Sequence, residues 1–368
     1  MTQVEVDVCI VGAGPVGLYG AYYTGQRGLS VAVVDSLSEV GGQVTAMYPE
    51  KMIFDVAGFP SVKGQTLTDA LVEQAGQFDP TYLLGQRAEE LEHPDDEVVV
   101  RTERGLVAQA SQMEPTYLLG QEAQQLERLD DGRMLVRTTR TELTCRALVV
   151  TGGIGTFTPR PLPAGEEFLG RGLEYFVPSS QEYVGRDVVI VGGGDSALDW
   201  ALMLEPLAAS VTLVHRRDQF RGHEGSVAKV RDSSVRLLLT AQVTALEGGS
   251  VLERAHVSVR GEEQPRVLPC DKVVAALGFT ANLGPMREWG LELRDNRHLV
   301  VDTAMRTNLP GVFAAGDITD YDGKVRLISV GFGEVATAVN NAAVHIDPTA
   351  HVFPGHTSNE PHEVPVPA

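Results

Sequence analysis

The stretch VEVDVCIVGAGPVG, residues 4–17, decides the fold of the N-terminal part of this chain. Its β-branched first half predicts a strand, and the LYGAYYTGQRG that follows the glycines favours a helix. In such a turn Gly12 permits the tight bend, Gly14 lets a diphosphate approach the backbone, and Gly17 lets the helix pack closely on the strand. A second strand ends at Asp35, 18 residues beyond Gly17, where a carboxylate can bind a ribose diol. The stretch therefore predicts a dinucleotide-binding βαβ unit.

The same pattern recurs in RDVVIVGGGDSALDWALM, residues 186–203. In the position that Asp35 occupies in the first unit, this second unit has His215, Arg216 and Arg217. Guanidinium groups pair with a 2′-phosphate, which a carboxylate would repel, so we predict that the second unit binds NADP rather than NAD. The residues expected at this site are Gly192, Gly194, Asp195, Ser196, Ala197, Arg216, Arg217 and Arg221.

Two dinucleotide-binding units in one chain indicate a flavin in the first and a nicotinamide nucleotide in the second. Near the C-terminus, the apolar stretch LPGVFAAGD reads as a further buried strand that ends at Asp317, which can accept a hydrogen bond from the ribityl chain of FAD. We therefore predict an α/β fold with two Rossmann-like domains, the NADP domain being inserted into a discontinuous FAD domain. The expected bounds are 1–159 and 282–368 for the FAD domain and 160–281 for the NADP domain.

Composition excludes several other functions. The 368 residues are 43% hydrophobic and 21% charged, as in ordinary globular proteins. A net charge of −19 would repel nucleic acid and anionic membranes. The sequence has neither an apolar run long enough to cross a bilayer nor a basic region typical of a signal peptide, so we expect a cytoplasmic protein without a membrane partner.

The cysteines limit the redox chemistry. Cys9, Cys145 and Cys270 are 136 and 125 residues apart, which excludes a C-x-x-C dithiol, a thiolate zinc cluster and an iron–sulfur site within the chain. The spacing of the C-terminal histidines matches no chelating pair either, so no metal site is predicted. Electrons are therefore expected to leave a bound flavin directly for an external acceptor.

Longer motifs surround the two glycine-rich turns. They are GGQ at 41–43, YPEK and DVAGFP within 48–60, HRRDQFR at 215–221, and FGE and TAVNNA within 332–342. Together they resemble ferredoxin-NADP reductases of the thioredoxin-reductase-like type. The resemblance implies a homodimeric FAD enzyme that exchanges electrons between NADPH and ferredoxin or flavodoxin. The implied reaction is hydride transfer from NADPH C4 to flavin N5, followed by single-electron steps to the carrier.

The resemblance also assigns roles to individual residues. Asp35 is expected at the adenosine ribose, Tyr48 over the isoalloxazine ring, and His356 on its other face, from a C-terminal tail of the partner subunit. A helix opened by residues 334–337 is expected to face the N1 and O2 edge of the flavin. No side chain is required as an acid or a base. The further FAD contacts implied are Gln43, Phe157, Asp317, Thr337 and Ser358.

An internal repeat lies within the FAD domain. PTYLLGQ occurs twice, 35 residues apart, and the match extends over 72–106 and 107–141. We expect a tandem copy of a helix end, a strand and part of a β-meander, the spare copy extending the meander at the surface. Because either copy could fill the structural position, the adenine-contacting backbone is predicted at Ala88 or Ala123.

Two other functions stay open. One is a thioredoxin-reductase-like NADPH oxidoreductase with another acceptor, which the missing C-x-x-C argues against. The other is a non-catalytic flavin-binding sensor, which the two complete nucleotide motifs argue against. Ferredoxins and flavodoxins are usually acidic, so docking on this chain would need a local basic patch, built mostly from arginine.

Overall fold

The fold is that of a computed structural model, and the chain divides into two compact units. The first contains Met1–Thr45, Met52–Thr156 and Asn282–Ala368, and the second contains Ala46–Lys51 and Phe157–Ala281. The short segment Ala46–Lys51, expected in the FAD domain, thus groups with the second unit. The structure describes residues 3–78, 81–83, 86–88, 91–92, 99–100, 121–129, 131, 133–138 and 142–355.

The N-terminal part of the first unit alternates strands and helices before it becomes a meander. The elements are β1 (Gln3–Val11), α1 (Pro15–Gln26), β2 (Val31–Val34), α2 (Gln43–Met47), β3 (Met52–Ile53), β4 (Val62–Lys63), α3 (Gly64–Gly76), β5 (Thr81–Leu83), β6 (Gln86–Ala88), β7 (Leu91–Glu92), β8 (Val99–Val100), β9 (Gln121–Arg128), β10 (Met134–Thr138) and β11 (Glu142–Val150).

The second unit follows the same alternation. Its elements are β12 (Thr156–Pro159), β13 (Leu173–Glu174), β14 (Asp187–Gly192), α4 (Asp195–Leu204), β15 (Ser210–His215), α5 (Glu224–Asp232), β16 (Arg236–Leu239), β17 (Ala241–Gly248), β18 (Leu252–Val259), β19 (Arg266–Pro269), β20 (Lys272–Ala276) and β21 (Phe279–Asn282). Short 3₁₀ helices cover Glu166–Phe168 and Ser180–Tyr183.

The chain then returns to the first unit. After a 3₁₀ helix, Gly284–Glu288, it forms β22 (Leu293–Arg294), β23 (His298–Val300), β24 (Val312–Ala314), β25 (Thr319–Asp320) and α6 (Ile328–Ile346). Among the described residues, none of the helices combines the length and the apolar character needed to cross a lipid bilayer.

The main sheet of the first unit has the strand order β5-β2-β1-β11-β10-β9-β6, with β24 beside β11. β1 pairs in parallel with β2 and β11, whereas β10 pairs with β11 in antiparallel fashion. β2 and the second halves of β1 and β11 are apolar, because helices can cover both faces of parallel strands. On α1, Gly20 allows close packing on α6, since a β-carbon there would lie 2.7 Å from a methyl of Val335.

The second unit has a parallel sheet of order β13-β20-β14-β15-β16 and an antiparallel sheet of β17, β18 and β19. β14 pairs in parallel with β15 and β20, so the glycine-rich turn after β14 lies at the carboxyl edge of the sheet. Crevices at this edge are where open α/β sheets bind ligands. Both units therefore have the topology that the sequence predicted.

Each copy of the repeat contributes one of the two strands, β5 and β9, that a single copy would supply. The first copy supplies β5, which pairs in parallel with β2, and the second supplies β9, which pairs with β10. β6 of the first copy lies beside β9, and there Ala88 pairs with Ala123, its equivalent 35 residues later. The spare copy thus adds a strand at the meander end of the sheet.

In the rest of the first copy the structure describes β7 and β8, which pair in antiparallel fashion as β9 and β10 do. Leu91 opposes Val100, as the equivalent Leu126 opposes Val136. Local sequence favours this pairing, because two similar segments adopt the same register at different places in the fold. The insertion therefore lies between β5 and β9, and its strands pack against β9, β10 and β11 of the main sheet.

Deleting residues 84–118 should leave the fold intact, since joining Leu83 to Leu119 restores a single PTYLLGQ and keeps both β5 and β9. We expect a melting temperature within about 4 °C of the full chain, because the lower entropic cost of closing a shorter connection offsets part of the packing that β6, β7 and β8 contribute. Calorimetry on the FAD-loaded protein measures this change. Loss of folding or of flavin retention would show that the first copy has a structural role.

Candidate dinucleotide sites

The first glycine-rich turn fits a diphosphate. Gly12 has φ +119°, and a β-carbon on it would lie 2.5 Å from the carbonyl oxygen of Thr151. A β-carbon on Gly17 would lie 1.8 Å from the carbonyl oxygen of Gly12, whereas Gly14 faces open space. No side chain caps α1 at Gly14, so the amides of its first turn remain available to phosphate oxygens.

Asp35 ties this turn to the end of β2. Its Oδ2 accepts a hydrogen bond from the Ala13 amide at 2.6 Å, and Oδ1 accepts one from the Leu37 amide at 2.8 Å. Burial raises the pKa of the Asp35 carboxyl above its ordinary value, although these amides act in the opposite direction. The structure therefore gives Asp35 a supporting role in the turn besides its predicted role at the ribose.

Gln43 lies near the same turn. The Gly41 amide donates to the Ala13 carbonyl at 2.8 Å, and a β-carbon on Gly42 would lie 3.0 Å from Cα of Gly14. The Gln43 side-chain amide lies 3.2 Å from the position that a β-carbon on Gly153 would take. The structure thus brings Gln43 to the ends of β1 and β11, on the side where the turn is open.

Asp317 follows β24 at the same edge of the sheet. Its carbonyl oxygen lies 3.2 Å from Nδ1 of His298. Burial raises the pKa of the Asp317 carboxyl, and the positive charges of Lys324 and Arg326 oppose that rise. A carboxylate at this edge is suited to accept hydrogen bonds from ribityl hydroxyls.

The last helix begins earlier than expected. α6 starts at Ile328 rather than at residues 334–337, so that expectation is wrong, and Thr337 lies inside the helix with its hydroxyl donating to the Gly333 carbonyl at 2.9 Å. The glycines in this stretch do not break the helix, because Gly331 is needed for close packing: a β-carbon there would lie 2.5 Å from a methyl of Val16. The N-terminal end of α6 is therefore at Ile328 and not near Thr337. The flavin contact predicted for Thr337 stays a prediction.

Tyr48 lies in the second unit. Its ring packs against the core cluster that contains Trp200. The Nζ of Lys51 lies 5.9 Å from the centre of that ring and 2.5 Å from the Asp199 carboxylate on α4. Tyr48 and Trp200 also line a pocket with Ser196 at the start of α4. The stacking of Tyr48 on a flavin stays a prediction.

Other predicted FAD contacts are placed only in part. The backbone of Phe157 lies in β12, and its side chain is outside the described residues. His356 and Ser358 also lie outside the described residues. Ala123 is buried in β9, beside Ala88 in β6.

The second glycine-rich turn repeats the geometry of the first. A β-carbon on Gly192 would lie 2.5 Å from the carbonyl oxygen of Ala276 and 2.7 Å from Cβ of Ala197. Gly194 faces open space, and no side chain caps α4 there. Gly193 is needed for a different reason, because a β-carbon on it would lie 2.1 Å from the ring of His215.

The basic segment after β15 is fastened to this turn. The Arg221 amide donates to the Gly193 carbonyl at 2.8 Å, and the His223 amide donates to Oδ1 of Asp195 at 2.7 Å. Arg216 and Arg217 are exposed, as a 2′-phosphate site requires. Asp195 thus holds the loop, a structural role that its place in the motif did not indicate.

His215 supports the segment from within. It is buried, stacks on Phe220 with ring centres 5.3 Å apart, and its Nε2 lies 3.0 Å from the Gln219 carbonyl. Burial lowers the pKa of His215, and the charges of Arg216 and Arg217 add to that effect. The ring is therefore a neutral support, and the arginines provide the charge.

Sequence reasoning missed two contacts. Thr151, at the end of β11, donates its hydroxyl to the Gly12 carbonyl at 2.8 Å. Cys9 and Cys145 lie on neighbouring strands, Cys9 opposite Leu148 and Cys145 opposite Val6, and burial raises the pKa of Cys9 well above its ordinary value. The parallel pairing of two apolar strands, β1 and β11, was the signal that could have placed the two cysteines on neighbouring strands. All three cysteines are buried and free.

No metal centre accompanies these sites within the part of the chain that the structure describes, where no three His, Cys, Asp or Glu side chains form a group that could hold an ion. The two cradles are thus built from backbone amides, single carboxylates and arginines. These amides, carboxylates and arginines fit two dinucleotides, the first with a free ribose diol and the second with a 2′-phosphate.

Comparisons with known proteins agree with this geometry. Residues 6–342 match the model of the pyridine nucleotide-disulphide oxidoreductase family. The chain is 57% identical to a ferredoxin–NADP reductase of Salinispora arenicola, over 96% of this chain and 99% of the relative. It is 43% identical to ferredoxin–NADP reductase 2 of Shouchella clausii, over 96% and 97%. Among solved structures, the thioredoxin reductase of T. acidophilum has the same fold, with a TM-score of 0.70 at 22% identity over 94% and 99% of the chains.

Proposed function

Because the chain belongs to the pyridine nucleotide-disulphide oxidoreductase family, and within it to the ferredoxin–NADP reductases, we propose that it exchanges electrons between NADPH and ferredoxin or flavodoxin. It is an oxidoreductase that uses FAD and NADPH. The observation that best supports the proposal is the pair of open glycine-rich cradles, the second of which has two exposed arginines, Arg216 and Arg217, on the segment fastened to it.

The residues of each unit bind and orient their own nucleotide. In the first unit the amides at the start of α1 take the diphosphate, Asp35 the ribose, and Asp317 the ribityl chain. In the second unit the amides at the start of α4 take the diphosphate, and Arg216 and Arg217 take the 2′-phosphate. Bound FAD supplies the chemistry that couples a two-electron donor to a one-electron carrier.

The placement of the cysteines disfavours a disulfide acceptor. Disulfide exchange needs an accessible thiolate. Cys9 and Cys145 are buried in the central sheet, where burial raises the pKa of Cys9. Burial also raises the pKa of Cys270 to about 12. None of these thiols is suited to pass electrons to a disulfide partner.

We further propose a homodimer whose C-terminal tail, with His356 and Ser358, covers the flavin of the partner subunit. The family resemblance supports both features. We also propose a cytoplasmic location, which the three free cysteines favour because cytosolic thiols are kept reduced.

The acceptor is tested by anaerobic turnover of the FAD-loaded protein with NADPH and a panel of ferredoxin, flavodoxin, thioredoxin and a small aromatic disulfide. We expect ferredoxin or flavodoxin to be reduced, and the disulfides to react at least about 100-fold more slowly, because no reactive thiolate is present. Fast reduction of thioredoxin together with slow reduction of both one-electron carriers would contradict the proposal.

Replacing both Arg216 and Arg217 by Ala should raise the KM for NADPH about 10- to 100-fold, since each removes a charge-assisted contact to the 2′-phosphate. The KM for NADH should stay within about twofold, because NADH lacks that phosphate. Arg231→Ala, an exposed arginine on α5, is the matched control and should change neither value. An equal rise for NADH and NADPH would place the 2′-phosphate elsewhere.

A further inference from the structure

A buried ion pair connects α6 to the turn that precedes Asp317. Lys324 Nζ lies 2.5 and 2.7 Å from the two carboxylate oxygens of Glu334, and the two side chains are only 2% and 4% exposed. The Tyr321 hydroxyl donates to Oε1 of Glu334 at 2.6 Å, and the Gly316 amide donates to Oε2 at 2.7 Å. We refer to Tyr321, Lys324 and Glu334 as the Glu334 network.

Every polar group of the network has a partner, yet stability alone does not account for it. Taking an ammonium and a carboxylate out of water costs several kcal/mol per ion, and apolar residues of similar volume often serve a core equally well. The pair therefore has to be explained by what it holds in place.

The network holds Gly316 from both sides. Glu334 accepts from the amide of Gly316, and Lys324 donates to its carbonyl at 2.9 Å. Gly316 has φ +84°, a conformation suited to glycine, and the next residue is Asp317. Fixing both polar groups of Gly316 also fixes the direction in which the chain presents Asp317.

The network also sets the charge around Asp317. The ionisable groups that face this carboxyl are Lys324, Arg326, Glu334 and His298. Burial raises the pKa of the Asp317 carboxyl; Lys324 exerts the largest opposing effect, whereas its partner Glu334 acts in the same direction as burial. Only the ionised form offers both oxygens as acceptors to sugar hydroxyls.

We propose that the Glu334 network is a positioning device for FAD: it fixes the Gly316–Asp317 turn, so that the Asp317 carboxylate meets the ribityl hydroxyls correctly oriented. The inference rests on the FAD site of the proposed function. Tyr321, Lys324 and Glu334 are positioning residues, because they act through Asp317.

The second unit provides a matched control. Lys272 Nζ lies 2.5 Å from Oε1 of Glu174. The other carboxylate oxygen of Glu174, Oε2, accepts a hydrogen bond from the Tyr183 hydroxyl. The ammonium of Lys272 lies 5.3 Å from the centre of the Tyr183 ring, and that of Lys324 lies 5.5 Å from the Tyr321 ring. Both clusters place a Lys–Glu pair beside a tyrosine, although Lys272 also lies 3.1 Å from a carboxylate oxygen of Glu182. The second cluster connects β13 to β20, away from the glycine-rich turn of its unit.

The test is FAD affinity, measured by titrating each apoprotein with FAD and following flavin fluorescence. The double variant Lys324→Met and Glu334→Gln keeps the side-chain volumes and removes both charges. We expect its Kd for FAD to rise at least about 10-fold, a loss comparable to one charged hydrogen bond. The control, Lys272→Met with Glu174→Gln, should stay within about twofold, because it alters no contact to FAD.

A purely structural role is separated by combining the double variant with Asp317→Asn. If the network acts through Asp317, the triple variant should bind FAD no more than about threefold more weakly than Asp317→Asn alone, because the effects are then not additive. Wild-type affinity in the double variant, additive losses in the triple variant, or an equal loss in the control would each overturn the inference.

Tyr321→Phe gives an independent test should the double variant fail to fold, because it keeps both charges and removes a single donor. Its Kd for FAD should rise about threefold, and this effect should disappear beside Asp317→Asn. An unchanged Kd, or an effect that persists beside Asp317→Asn, overturns the inference. A protein that binds FAD as described here but reduces no ferredoxin would lose its proposed acceptor, and the inference would stand.

Discussion

In both units, one backbone segment approaches another so closely that no side chain fits between them, and the nucleotide sites depend on this contact. A β-carbon on Gly12 would lie 2.5 Å from the Thr151 carbonyl oxygen, and one on Gly192 would lie 2.5 Å from the Ala276 carbonyl oxygen. In each case the first glycine of the turn is pressed against the end of a neighbouring parallel strand. This contact turns the following helix so that its first amides face outward, and these amides bind a diphosphate. The nucleotide sites are thus a consequence of strand pairing.

The difference between the two sites comes from the end of the second strand in each unit. Asp35 accepts amide hydrogen bonds within its own turn, and in the equivalent place a neutral, buried His215 supports two exposed arginines. One scaffold thus binds a nucleotide with a free ribose diol and a nucleotide with a 2′-phosphate. The role of the protein is to bind and orient each cofactor, because the flavin itself performs the electron transfer.

Much of this arrangement could be predicted from sequence, because glycine spacing and apolar strands are local signals. The two turns, the Arg pair and the place of Asp317 at a strand end follow from such signals. The start of α6 could not be predicted in this way. Glycine disfavours helices locally, and the place of Gly331 in α6 reflects its tertiary packing on Val16. Nor could the assignment of Tyr48 to the second unit, since that depends on contacts with residues more than 100 positions away.

Tertiary pairing also explains what the sequence left open about the cysteines and the repeat. Cys9 and Cys145 are far apart in the chain and come onto neighbouring strands because β1 pairs with β11. The two repeat copies are equivalent as sequences, and only the sheet distinguishes them, by taking β5 from one and β9 from the other. Local sequence patterns do not encode the pairing and register of strands that are distant in the chain.

The central claim is that electrons enter and leave this chain through the flavin alone, although two buried cysteines lie on neighbouring strands of its core. An anaerobic reductive titration of the FAD-loaded protein, followed by absorbance with thiols counted before and after, tests it most directly. The account predicts that full reduction consumes two electrons per chain and leaves the thiol count unchanged. Uptake of four electrons with the appearance of two new thiols would reveal a redox-active disulfide and contradict it.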